Sequence, residues 1–206
     1  MRRVLLISLS MVLALVGWST VCAEDGFYVI PTKKGNYAPV PKTGLTGTFG
    51  TRDDGDLEKG VAWPTPRFTD NKNGTVTDKL TGLIWTKNAN AFGKKTWDDA
   101  LSAANNLKSG DPGLTDGTVA GNWRLPNVRE LQSLVDYGRS YPAFPAPADF
   151  PFTGLQSDSY WSSTSRGMND PQMTNIAWHV YFGDGSVNSN TGKGNLYYVW
   201  CVRGGP

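Results

Sequence analysis

Sulfur and imidazole are scarce in this chain of 206 residues, which carries two cysteines, Cys22 and Cys201, and a single histidine, His179. Long apolar runs are scarce too. Only Val4 to Val16 approaches one, broken by Ser8 and Ser10, and it is too short to span a bilayer as a helix. It follows Met1-Arg2-Arg3 and precedes Val21-Cys22-Ala23, where small or modest side chains stand before Glu24. This is the layout of a secretory signal peptide over residues 1–23. Lipid attachment at Cys22 is the alternative fate, although Ser19-Thr20-Val21 lacks the aliphatic-then-small pattern that such processing prefers. The chain therefore reads as exported, to the periplasm, the cell surface or the medium, with no membrane span after cleavage.

An excess of charge is also lacking. Cleavage after Ala23 removes two arginines and no acid, so 18 acidic side chains face as many basic ones. A balanced chain is a poor candidate for affinity gained by neutralising phosphate or sulfate, which argues against a nucleic-acid partner but leaves room for a local basic patch. Loss of Cys22 leaves Cys201 alone, so no intramolecular disulfide can form and the core itself must supply stability. Catalytic patterns are missing as well: there is no glycine-rich phosphate loop, no serine nucleophile elbow and no paired Cys/His metal spacing. A dyad of Cys201 and His179 would need both side chains on one face of neighbouring strands and a low thiol pKa. Cys201 instead stands among alternating bulky residues, where a thiol acts as a small buried hydrophobe. The expectation is a non-enzyme without a cofactor or metal.

What the chain does have is tryptophan, glycine and proline. Trp63, Trp85, Trp97, Trp123, Trp161, Trp178 and Trp200 are spread along the mature part, a structural distribution. The 24 glycines and 13 prolines predict a fold rich in turns and loops. Residues 24–62 read as an extended leader rich in proline and glycine, and residues 63–206 as the domain. Within the leader, Asp53-Asp54-Gly55-Asp56 reads as a solvated acidic turn. A calcium site is the weaker reading there, because no bidentate glutamate follows at a known spacing.

The domain opens with a predicted β-hairpin, Arg67–Asp70 and Thr75–Asp78, around Asn71-Lys72-Asn73-Gly74, whose Asn-Gly pair suits positive φ. Asp70, Asn73 and Asp78 could alternatively serve as oxygen ligands, though a hairpin explains them unaided. Leu83–Thr86 reads as a core strand. Thr96 caps a helix whose buried face is Trp97, Ala100, Leu101, Ala104 and Leu107. Trp123-Arg124-Leu125-Pro126 is extended. Asn127 and Glu130 then form a capping box for a second helix with the stripe Val128, Leu131, Leu134 and Val135. After a proline-rich loop over 138–159, three strands are predicted: 160–164, 177–182 and 197–203. Two helices and a mainly antiparallel set of strands make an α+β plan.

These pieces, in this order, resemble one family. Asn73–Asp78 with Thr81–Trp85, Trp97–Leu101, Trp123–Asn127 with Glu130-Leu131, Tyr160–Thr164 and Cys201–Gly205 are similar to the domain of unknown function 1566, the C-terminal domain of the Legionella collagen-like adhesin. The resemblance runs from about residue 66 to the end. It implies a C-type-lectin-like fold with a mainly antiparallel twisted sheet, in an exported or surface protein. The adhesin that names the family binds glycosaminoglycans and promotes attachment. Where family members often carry a cysteine that can pair with the one near the C-terminus, this chain has Ala104. The acidic and asparagine motifs that hold sugar-bound calcium in animal lectins are not recognisable, and no collagen-like repeat precedes the domain. Trp123–Pro126 and Val202–Gly205 also look like formylglycine-generating enzymes, whose chemistry needs a pair of cysteines.

The resulting expectation is a secreted or cell-surface binding and adhesion module whose ligand is a polysaccharide or a surface protein. A structural part of an extracellular assembly, or an enzyme derived from the formylglycine scaffold, are the alternatives. The loops 165–176 and 183–196 are expected to carry the ligand surface, with Arg166, Asn169, Asp170, Asn175, Asp184 and Asn188 as its polar groups.

Overall fold

The two capping signals act as their residues dictate. Thr96 Oγ1 accepts from the Asp99 amide (3.3 Å) at the start of a ten-residue helix, Trp97–Asn106. Asn127 Oδ1 accepts from the amides of Arg129 and Glu130 (both 2.9 Å), and Glu130 Oε2 accepts from the Asn127 amide (2.7 Å), at the start of Val128–Gln132. Arg124 grips the same Glu130 carboxylate with both terminal nitrogens, at 2.7 and 2.8 Å. In Trp123-Arg124-Leu125-Pro126-Asn127, two residues therefore enter the core and two build the helix start.

In this computed structural model, residues 40–111, 113–145, 150–167 and 174–204 are described. The signal segment 1–23, the first part of the leader, Asn169 and Asp170 lie outside them. In chain order the elements are α1 (Asp54–Leu57), β1 (Phe68–Asp70), β2 (Thr75–Asp78), β3 (Ile84–Thr86), β4 (Lys94–Lys95), α2 (Trp97–Asn106), α3 (Val128–Gln132), β5 (Ser159–Ser165), β6 (Ile176–Tyr181), β7 (Ser186–Gly192), β8 (Tyr197–Tyr198) and β9 (Val202–Arg203). One sheet has the order β1-β2-β3-β9 and the other β4-β8-β5-β6-β7; all pairings are antiparallel except that of β5 with β8. The architecture is α+β. No helix among the described residues is long and apolar enough to cross a membrane.

Successive residues of β5 point to opposite faces of the larger sheet, and the core divides accordingly. Tyr160 joins Trp85, Leu131, Leu134, Phe144, Phe182 and Trp200 on the α3 side. Trp161 joins Ala100, Ala104, Trp123, Leu125 and Cys201 on the α2 side.

Four expectations are revised. The segment 197–203 is two short strands rather than one: Tyr197–Tyr198 extends the larger sheet and Val202–Arg203 the smaller. Between them Trp200 donates from Nε1 to the Thr86 carbonyl (2.8 Å), while the Cys201 carbonyl accepts from the Thr86 amide (3.0 Å), so the chain changes sheets there. The expected loop 183–196 contains a seven-residue strand, β7. Six of its residues are half-buried and one is exposed, so an edge strand of this kind shows no apolar alternation. At the first hairpin, positive φ falls on Lys72 (61°) and Gly74 (84°), not on Asn73, in a four-residue loop. The acidic turn in the leader is the short helix α1, with Asp53 as its cap accepting amides of Phe49, Gly50 and Asp56.

The oxygen-ligand alternative for the hairpin meets other partners. Asp78, fully buried, forms a two-bond ion pair with buried Arg67 (3.0 and 2.8 Å) and accepts from the Leu80 amide and the Thr81 hydroxyl. Asp70 binds Lys72 and Lys87. Arg67 also reaches the Ser133 carbonyl (2.7 Å), tying the small sheet to the end of α3. The segment 40–62 docks on the domain: the Tyr137 amide donates to the Thr43 carbonyl (2.9 Å), and Trp63 Nε1 donates to the Lys42 carbonyl (3.0 Å).

Candidate functional site

The candidate residues on described loops fall at two ends of the β6–β7 hairpin. Arg166 follows β5, and its amide donates to the Ile176 carbonyl (2.9 Å); its guanidinium is half-exposed and donates to the Ser189 carbonyl (3.0 Å). Asn175 is exposed immediately before β6, and its carbonyl accepts from the Lys193 amide (2.8 Å). Asn188 sits in β7 opposite His179, three residues further along the ribbon. Asn188 therefore lies mid-ribbon, two residues from the Tyr181–Ser186 pair, while Arg166 and Asn175 share one end. Asp184 does not join them. It lies in the turn at the other end, separated from Asn175 by the six residues of β6, a span of about 20 Å. There its Oδ1 accepts from the Ser186 amide (2.9 Å) and hydroxyl (2.5 Å), which hold its carboxyl below the ordinary range. The hairpin that forms where a loop was expected is the physical reason for the separation.

Lys193 was not a candidate and belongs to the first end. Its Nζ lies 4.0 Å from the ring centroid of Trp97, and the Trp97 amide donates to its carbonyl. Nothing near Lys193 in sequence signals a tryptophan from the start of α2. Among the described residues neither Arg166 nor Lys193 forms an ion pair with a carboxylate.

The two reactive groups are set inside. Cys201 is fully buried, and burial pushes its thiol well above the ordinary range. His179 is 4% exposed, its Nδ1 has no hydrogen-bond partner, and burial lowers its pKa. Its ring lies 4.7 Å from that of Tyr197 and 6.0 Å from that of Trp161. No hydrogen bond joins it to Cys201 among the described residues. Among the described residues no group of three His, Cys, Asp or Glu side chains could hold a metal ion.

Two adjoining open clefts, of about 380 and 460 Å³, lie elsewhere, between the loop after β3 and the end of α2. Asn88, Ala91 and Leu107 line both, and none of the sequence candidates reaches either.

No curated protein matches this chain. A family model described as the Lcl C-terminal domain matches residues 74–203, from the tip of the first hairpin to the last strand, and so takes in the capping box, every strand except β1 and the β6–β7 hairpin. The chain belongs to the Lcl C-terminal domain family, a module associated with adhesins.

Proposed function

We propose that this domain is a non-catalytic adhesion module of C-type-lectin-like form, acting outside the cytoplasm, that holds a polysaccharide at the end of the β6–β7 hairpin bearing Arg166, Asn175 and Lys193. The observation that carries the reading is the half-exposed Arg166 guanidinium, fixed by the Ser189 carbonyl with no acidic partner among the described residues. A cation held this way keeps donors available for hydroxyl or acidic oxygens of a glycan, and Lys193 on Trp97 adds a second charge with restricted motion. Asn175 and Asn188 supply amides that can both donate and accept, as recognition of sugar hydroxyls requires. The buried, unlinked thiol and imidazole support the absence of catalysis, since neither is placed to meet a substrate.

Glycan-array and protein-array binding by the processed chain, with Arg166→Ala beside it, tests this reading. Glycan binding that falls about tenfold in the variant, with an unchanged thermal melt, is expected. Binding of a protein but no glycan would move the module to a protein partner, and a turnover abolished by Cys201→Ser would overturn the non-catalytic reading.

A further inference from the structure

The far end of the same hairpin carries a different chemistry. Tyr141 is 70% exposed and Tyr137 is 41% exposed, both on the segment after α3, while half-buried Tyr181 ends β6. All three meet at the turn 182–185. The Tyr141 amide donates to the Gly183 carbonyl (2.7 Å), and the Tyr141 and Tyr181 side chains are neighbours that influence each other electrostatically. A Cβ on Gly183 would lie 2.4 Å from the Tyr181 ring, and one on Gly185 would lie 3.3 Å from the Tyr137 ring. Only glycines let the turn lie this close under the rings, and Gly185 also needs its φ of +84°. Between them stands exposed Asp184.

We propose that this tyrosine-lined end is a second binding surface, for the flat face of an uncharged saccharide chain. A pyranose ring offers an apolar C–H face and a rim of hydroxyls. A phenol ring offers an apolar face and a polar tip, and each of the three rings here carries that tip. The Asp184 carboxylate and the Gln132 amide, which donates to the Tyr137 hydroxyl (2.9 Å), are the polar groups at hand to fix orientation. The rings are held before any ligand arrives: Tyr137 by Gln132, and Tyr141 by its backbone bond to the turn, with φ at +48°. Less side-chain freedom is then lost on binding.

The balance of charge favours an uncharged ligand. Asp184 and Asp158 supply carboxylates at this end, and Lys94 is engaged by Asp158 at 2.7 Å. Arg139, between the two exposed tyrosines in sequence, is itself exposed and forms no ion pair with a carboxylate among the described residues. With Arg139 set against Asp184 and Lys94 paired to Asp158, the charges named at this end balance, so a sulfated or uronic chain gains no attraction here and is drawn to the Arg166 end. The surface is independent of the Arg166 site, and either can stand without the other.

Native affinity gels of the processed full chain test this, with dextran, hydroxyethylcellulose or galactomannan as the neutral probes and heparin as the charged one. At least one neutral polysaccharide is expected to retard the chain. Tyr141→Asn, which tolerates the left-handed backbone, and Tyr137→Ala are expected to weaken that retardation about tenfold while leaving retardation by heparin unchanged. Unaltered melts of both tyrosine variants establish that they fold. The proposal is overturned if no neutral probe retards the chain, if the tyrosine variants bind as the parent does, or if loss is confined to Arg166→Ala. It is also overturned if a photo-crosslinking residue at position 141 captures a protein while the gels show no retardation.

Discussion

His179 shows how burial turns a titratable residue into a pH-sensitive element of stability. Its pKa in the folded chain is lowered, chiefly by burial, from an ordinary value near 6.5, so the unfolded chain takes up a proton first as pH falls. The stabilisation due to neutral His179 is complete above about 6.5 and is lost as pH drops from there towards the folded value. Burial of Asp136, whose carboxyl is raised, acts in the opposite sense at lower pH. Melting curves of the parent and of His179→Gln between pH 7.5 and 5 separate the two effects. The parent is expected to lose stability faster than the variant over that range, and parallel profiles would refute the assignment. That His179 is a strand residue was readable from its neighbours Trp178 and Val180; its missing Nδ1 partner was not, because that depends on what Trp161 and Tyr197 leave open.

Among the elements, the first hairpin was legible in its strands and misread in its turn. Asn73-Gly74 suggested a tight turn with positive φ at both positions, yet Asn73 instead accepts from the Thr75 amide and hydroxyl through its side chain. Gly74 is needed for a second reason that no local pattern contains: a Cβ there would lie 1.7 Å from the Gly113 carbonyl oxygen. Gly93 also has positive φ (+65°) but has open space around it. Gly93→Ala is therefore expected to cost only backbone strain, about 1 kcal/mol, and Gly74→Ala distinctly more, because the 113–115 loop must move as well. Urea denaturation of the two variants checks the order, and equal losses would show that the loop yields freely. The capping box of α3 was readable because its partners stand three residues apart. β7 was not, because an edge strand of serine, asparagine and threonine carries no apolar alternation.

In the whole molecule, two aromatic cores share the larger sheet and are joined where the chain crosses from β8 to β9. Stability then rests on packing of residues such as Trp85, Trp123, Trp161 and Trp200, all essentially buried, and on the Arg67–Asp78 pair, which links the small sheet to α3 through Ser133. Cys201 contributes as a packed side chain in one of these cores. Thermal melts of the processed chain are expected to coincide with and without reductant, and with and without EDTA. A marked drop with EDTA would assign a structural cation to the carboxylates of the 53–56 or 70–78 segments.

The sequence by itself determined the helix starts, the core strands around Trp85 and Trp161 and the family, because each rests on residues a few positions apart or on the order of short motifs. Only the tertiary structure decided that Asp184 parts company with Arg166 and Asn175, that Lys193 lies on Trp97, and that Tyr137 and Tyr141 gather beside Tyr181. Those placements depend on strand register and on which distant segment covers which face. Such contacts leave no periodic trace along the chain.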